Sequence, residues 1–173
     1  MKQHLGMRPQ DIAILLKIIT FKNNIWRNID LAYELKISPS EVSEALNRCK
    51  ISKLIDSEKK EVHINALSEF LIYGLKYVFP AQPGAIVRGI PTAHSASPIK
   101  EIISQSDYSY VWRDPHGMTR GQGIEPLYKT IPTASLNDPA FYEFMVIVDT
   151  IRIGRAREVQ IAINELNKRL RND

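Results

Sequence analysis

The chain has 173 residues, 44% of them hydrophobic and 24% charged. That is the balance of an ordinary globular protein of one domain or two small ones, and it excludes disordered, collagen-like and low-complexity chains. Lys and Arg total 23 against 19 Asp and Glu, giving a net charge of +4 and a mild bias toward polyanionic partners. The longest apolar-rich stretch, residues 12–19, contains Lys17 and falls far short of the ~20 residues of a membrane span.

A first helix is expected from Pro9 or Gln10, because proline at the first helical position forfeits a hydrogen bond that has no partner there anyway. Ile12, Leu15, Leu16 and Ile19 then make one apolar stripe. A short second helix places Ile29, Ala32 and Leu35 inward, with Asn28 as N-cap. The third helix has the strongest start signal: Ser38 as N-cap, Pro39 at N1 and Glu41 at N3 form a capping box. Val42, Ala45, Leu46 and Cys49 are its buried stripe. Leu54 and Ile55, a charged turn over residues 56–61, and the alternation Val62, His63, Ile64 predict a small hairpin. A fourth helix from Asn65 carries Leu67, Phe70, Leu71, Gly74, Leu75 and Val78 on one wide face.

Residues 80–99 hold Pro80, Pro83, Pro91 and Pro98 with Gly84 and Gly89, punctuation that predicts a linker or extended strap. Residues 100–173 read as an α+β or helical C-terminal extension. Asp114-Pro115-His116-Gly117 reads as a turn between two strands. Asp138 and Pro139 start a helix bearing Phe141, Met145, Val148 and Arg152 on one face. Val159, Ile163, Leu166 and Leu170 continue after Gly154, where a kink or break is expected. The expected fold is mainly α with a small β component, divided into residues 1–79, 80–99 and 100–173.

Three helices followed by a hairpin is the element order of a winged helix-turn-helix. A turn of only Lys36, Ile37 and Ser38 makes helices two and three cross steeply and leaves the polar side of the third protruding. Such a helix fits the major groove of duplex DNA. Its outward positions are Ser40, Ser43, Glu44, Asn47 and Arg48. Asn47 and Arg48 are residue types that pair with adenine and guanine edges. Ser38 and Ser40 are suited to phosphate oxygens, and Lys59 and Lys60 at the hairpin tip to phosphate or a minor groove. The bland alternatives are a solvated helix face, with Glu41 and Glu44 repelling phosphate, and a solvated turn at Lys59 and Lys60 between Glu58 and Glu61.

The run Asp30-Leu31-Ala32-Tyr33-Glu34-Leu35-Lys36-Ile37-Ser38-Pro39-Ser40-Glu41-Val42-Ser43-Glu44-Ala45-Leu46 resembles the helix-turn-helix of bacterial winged-helix regulators of the MarR-like kind. The resemblance covers about residues 8–79. It implies sequence-specific binding of double-stranded DNA, as a homodimer that controls transcription. Lys36 stands where such turns often carry glycine, so a left-handed backbone there would be strained. Phe79-Pro80 and the run from Arg88 to His94 resemble the tail of an uncharacterised set of bacterial winged-helix proteins, from which no activity carries over.

Other readings weigh toward structure. Cys49 on a buried stripe is core rather than a redox sensor. His4, His63, His94 and His116 share no ligand spacing. Gly121-Gln122-Gly123 lacks the spacing and lysine of a phosphate loop. No acid–base pair or nucleophile motif appears, so no enzyme, cofactor or metal is expected. Arg152, Arg155 and Arg157 are either a solvated basic corner or a second phosphate-contacting surface. The fourth helix and the C-terminal helices are candidate homodimer contacts. A lone cysteine and the lack of a signal-peptide pattern point to a reducing cytoplasm and no membrane. The alternative function is a protein-interaction module, such as an antitoxin-like subunit that binds a protein partner through its C-terminal region.

Overall fold

The computed structural model describes residues 5–103 and 108–171. The architecture is mainly helical with a small sheet. Its helices are α1 (Pro9–Thr20), α2 (Asn28–Leu35), α3 (Pro39–Ile51), α4 (Ile64–Tyr73), α5 (Leu75–Val78), α6 (Ile131–Leu136), α7 (Pro139–Ile153) and α8 (Ala156–Arg171). Strands β1 (Ile86–Pro91), β2 (Tyr110–Arg113) and β3 (Thr119–Gly123) lie between α5 and α6. Among the described residues no helix is long and apolar enough to cross a membrane.

The helix starts follow the capping signals. Pro9 and Pro39 sit at first helical positions. The Ser38 hydroxyl accepts from Glu41 N at 3.2 Å, and the Asp138 carboxylate accepts from Phe141 N at 3.0 Å. Only half of the capping box at Ser38 forms, because the Glu41 carboxylate is drawn elsewhere: it accepts from Gln10 Nε2 and from the Tyr128 hydroxyl, both at 3.4 Å. The N-cap of α2 is Arg27, not Asn28, since Asp30 accepts from Arg27 N at 2.8 Å. Ile29, expected inside, is 57% exposed; Leu31 takes its place in the core beside Ala32 and Leu35.

The hairpin after α3 is smaller than expected. Ile55 and Val62 form one antiparallel bridge, because Asp56 gathers the turn onto its own side chain: Oδ1 accepts from Lys60 N (2.6 Å) and Glu61 N (2.8 Å), and Oδ2 from Glu58 N (3.3 Å). The fourth helix ends at Tyr73, and α5 resumes after Gly74. The helix after Asp138 breaks at Gly154 as expected.

The proline- and glycine-rich segment is not merely a strap, since residues 86–91 are a strand. β1 runs antiparallel to both β2 and β3, which pair parallel to each other, and the three close into a ring. Parallel strands ordinarily need a long crossover. Here β2 and β3 are joined by residues 114–118 alone, which turn through a Gly117 N to Asp114 O bond of 3.1 Å. The short path works because Gly89 of β1 pairs with both Arg113 and Thr119, so β2 leaves off where β3 begins. The crossing leaves no space for side chains: a Cβ on Gly89 would lie 1.9 Å from Trp112 O, and one on Gly117 would lie 2.3 Å from Gly89 C and O.

One apolar core joins the halves. Ile12, Leu15 and Leu16 of α1, Leu46 of α3, Leu67 and Leu71 of α4, Trp112 of β2, Phe141 and Ile147 of α7 and Leu166 of α8 belong to a single buried cluster. Lys17, embedded in α1, donates to Glu34 Oε2 (3.2 Å) and to Asp138 Oδ2 (2.5 Å) at the start of α7. Burial opposes ionisation of Asp138, but Lys17, Phe141 N and Thr20 outweigh it and hold the carboxyl below its usual range.

Candidate nucleic-acid interface

The turn between α2 and α3 sets how α3 is presented. Lys36 adopts the left-handed conformation (φ 56°, ψ 42°), which costs an L-residue roughly 1–2 kcal/mol. The turn is held regardless: Ile37 N donates to Ala32 O at 3.0 Å, and the Ile37 side chain is buried. The Lys36 ammonium lies 4.1 Å from the centre of the Tyr33 ring, a cation–π contact that partly offsets the strain.

Beyond this turn, Ser38, Ser40, Glu44 and Asn47 are exposed and Ser43 is half-buried. The Ser38 and Ser40 hydroxyls are 3.1 Å apart. Lys59, left-handed at the hairpin tip (φ 58°), donates to the Asn47 side-chain carbonyl. The hairpin therefore reaches back onto α3, and Asn47 keeps its amide NH2 as a donor. Burial opposes ionisation of Asp56, but the three turn N–H groups hold its carboxyl below its usual range, so the anion organises the turn. Lys60 turns toward the α1–α2 connection, donating to Trp26 O at 3.1 Å with its ammonium 4.3 Å from the Trp26 ring centre.

Arg48 does not face outward. It is 6% exposed, and its Nε and Nη2 donate to Oδ2 (2.8 Å) and Oδ1 (2.6 Å) of Asp11, a fully buried residue of α1. Asp11 also accepts from Arg8 N at 2.9 Å, which fixes the first turn of α1. A buried carboxylate needs a cation, and a planar guanidinium meets both its oxygens. The Asp11 hydrogen bonds outweigh burial and strengthen the protonation of Arg48. Two signals in the sequence fit this placement. Arg48 follows buried Ala45 by three residues, and Asp11 stands beside Ile12 of the apolar stripe of α1. Lys50, outside the expected contact set, is exposed one turn beyond Asn47.

The remaining candidates resolve into structure. Burial pushes the Cys49 thiol up, away from the reactive thiolate. Arg152 is a tie: Nε donates to Phe79 O (2.9 Å), and Nη1 donates to Glu125 O (3.0 Å) and Asp149 Oδ1 (2.8 Å). Asp149 Oδ2 accepts from Thr92 Oγ1 (2.8 Å) and Trp112 Nε1 (2.6 Å), so the strand ring is bolted to α7. Burial raises the Asp149 carboxyl, opposed by Arg152 and these donors. Arg155 and Arg157 are exposed. His94 is buried, with Nε2 2.8 Å from Tyr108 O and Nδ1 3.8 Å from Glu158 Oε1, while Asp114 and His116 occupy the β2–β3 turn. His63 pairs through Nδ1 with Lys53 O at 2.8 Å; His4 lies outside the described residues. Among the described residues no group of three His, Cys, Asp or Glu side chains is arranged to hold a metal ion. No family model, curated protein or solved structure matches the chain.

Proposed function

We propose that α1–α4 and the hairpin act as a winged helix-turn-helix, with α3 entering the major groove of double-stranded DNA and the hairpin as the wing. On this reading the protein is a transcriptional regulator that works as a homodimer. The observation that carries the reading is the uncovered polar side of α3, where Ser38, Ser40, Glu44, Asn47 and Lys50 are exposed while the opposite side is packed against α1 and α2.

Ser38 and Ser40 at the helix start suit phosphate oxygens, and the helix N-terminus adds favourable dipole there. Asn47 reads a base edge as a donor, and becomes a donor–acceptor pair for adenine when Lys59 lets go of its carbonyl and moves to phosphate. Arg48 supports this surface from beneath by anchoring α3 to α1 and makes no base contact. Exposed Tyr73 and Tyr77 on α4 and α5 provide apolar surface for the second copy.

The test is selection of bound sequences from a random duplex pool at physiological salt. A palindromic consensus is expected, with affinity falling steeply as salt rises. In a gel shift, Asn47→Ala together with Lys50→Ala removes preference for the consensus without loss of helical content. Enrichment of no sequence, or unchanged preference in this variant, rejects the reading.

A further inference from the structure

The strand ring carries an open cleft of about 690 Å³ lined by Ile86, Val87, Arg88, Arg113, Pro115 and Arg120. One arginine comes from each of the three strands. Among the described residues, none of the three guanidinium groups has an acidic partner or a hydrogen-bonded acceptor, in contrast to Arg48, Arg152 and Arg169, which are each tied to carboxylates. Arg88 and Arg120 stand directly opposite one another in the β1–β3 register. Like charges directly opposite on paired strands destabilise a sheet, so this pair stores repulsion that a bound anion relieves.

We infer that this cleft is a binding site for a phosphate-bearing ligand, its charged oxygens held by Arg88, Arg113 and Arg120 and its apolar part lying on Ile86, Val87 and Pro115. Three positive charges match a di- or triphosphate better than a single carboxylate. Guanidinium forks pair with phosphate oxygens two at a time, and the volume suits a ligand of nucleotide size. The ring's closed pairing and its Asp149 bolt to α7 fix the three strand positions that carry the arginines, while the exposed side chains are left to close on a ligand. The inference is independent of α3 and stands or falls separately from the DNA reading.

The test uses inorganic tripolyphosphate with the whole chain, followed by thermal unfolding and titration calorimetry at low salt. Tripolyphosphate is expected to raise the unfolding midpoint and to bind with an affinity that falls at least tenfold on raising salt. Arg88→Gln with Arg120→Gln is expected to raise the midpoint of the free protein, since repulsion is removed, and to abolish the further rise with tripolyphosphate. Asn47→Ala with Lys50→Ala keeps the tripolyphosphate response whatever it does to DNA. A duplex DNA fragment that displaces tripolyphosphate identifies the phosphate source as a nucleic-acid backbone; a duplex that leaves it bound identifies a free phosphorylated small molecule. No midpoint rise in the parent protein, or a rise that survives the double arginine variant, overturns the inference.

Discussion

The helical half and the strand ring solve their tight places in opposite ways. Before residue 80, the chain turns through left-handed backbone at Lys22, Lys36, Lys53 and Lys59, with φ between 54° and 59°. Every one is a lysine, and no described glycine has positive φ. In the ring, Gly89 and Gly117 have unexceptional φ but no space for a Cβ. Strain in one half is thus a matter of backbone chirality, tolerated because packing fixes the helix ends. Among the described residues of the other half only Ala93, just past β1, is left-handed (φ 50°), and at Gly89 and Gly117 glycine is required by closeness, not by conformation. The lysines also gain something: Lys36 and Lys53 follow the C-terminal ends of α2 and α3, where cations are favourable, and Lys36 and Lys59 contact Tyr33 and Asn47.

The largest effect expected from this contrast is at Gly89. Gly89→Ala drives a methyl group into the Trp112 carbonyl and costs above about 5 kcal/mol, seen as loss of cooperative urea unfolding; a stable, ring-closed variant would break the closeness argument. Next, Arg48→Ala leaves Asp11 buried without its cation and costs about 3–5 kcal/mol, measured by urea denaturation. An effect below about 1 kcal/mol would return Arg48 to the surface.

Asp138→Asn keeps the α7 cap but gives up the charged contact with Lys17, at a cost of about 1.5–3 kcal/mol near neutrality. Because the folded carboxyl sits below its unfolded value of about 3.9, its contribution is present above about pH 4 and is lost as pH falls through the folded value. The gap between parent and variant therefore closes in acid; a gap that is constant from pH 7 to pH 2 would show that the charge is irrelevant. The smallest effect has the opposite sign. Lys36→Gly relieves left-handed strain and raises stability by about 0.5–1 kcal/mol, after the loss of the Tyr33 contact and the greater freedom of unfolded glycine. A decrease on thermal melting would mean that the lysine contacts outweigh the strain.

The same contrast explains what the sequence made legible. Helix starts at Pro9, Ser38 and Asp138 were readable because their signals are local: proline at the first helical position in α1, and in α3 and α7 a side chain that meets a backbone N–H three residues on. The stripes of α3 and α7 were readable from their period. The ring was not, because its logic is long-range. Pro91 and Gly89 look like linker punctuation until it is known that Gly89 faces both Arg113 and Thr119. Arg48 misled for a related reason. Its type suits a base edge, and only its tertiary partner Asp11, 37 residues away, shows that it belongs inside. Ile29 failed as a core residue because α2 is short and buries just Leu31, Ala32 and Leu35. On the candidate interface the exposed serines and Asn47 followed from helical spacing, whereas the Lys59 reach to Asn47 depended on a turn organised by Asp56.

The two tryptophans fall one to each half, and their surroundings differ. Trp26 lies beneath the Lys60 ammonium at the α1–α2 connection, and Trp112 is fully enclosed with its indole N–H on Asp149. The molecule therefore contains a pair of intrinsic fluorophores of unlike polarity. Each reports on its own half, and the continuous interior that both join makes the two signals change together at one temperature.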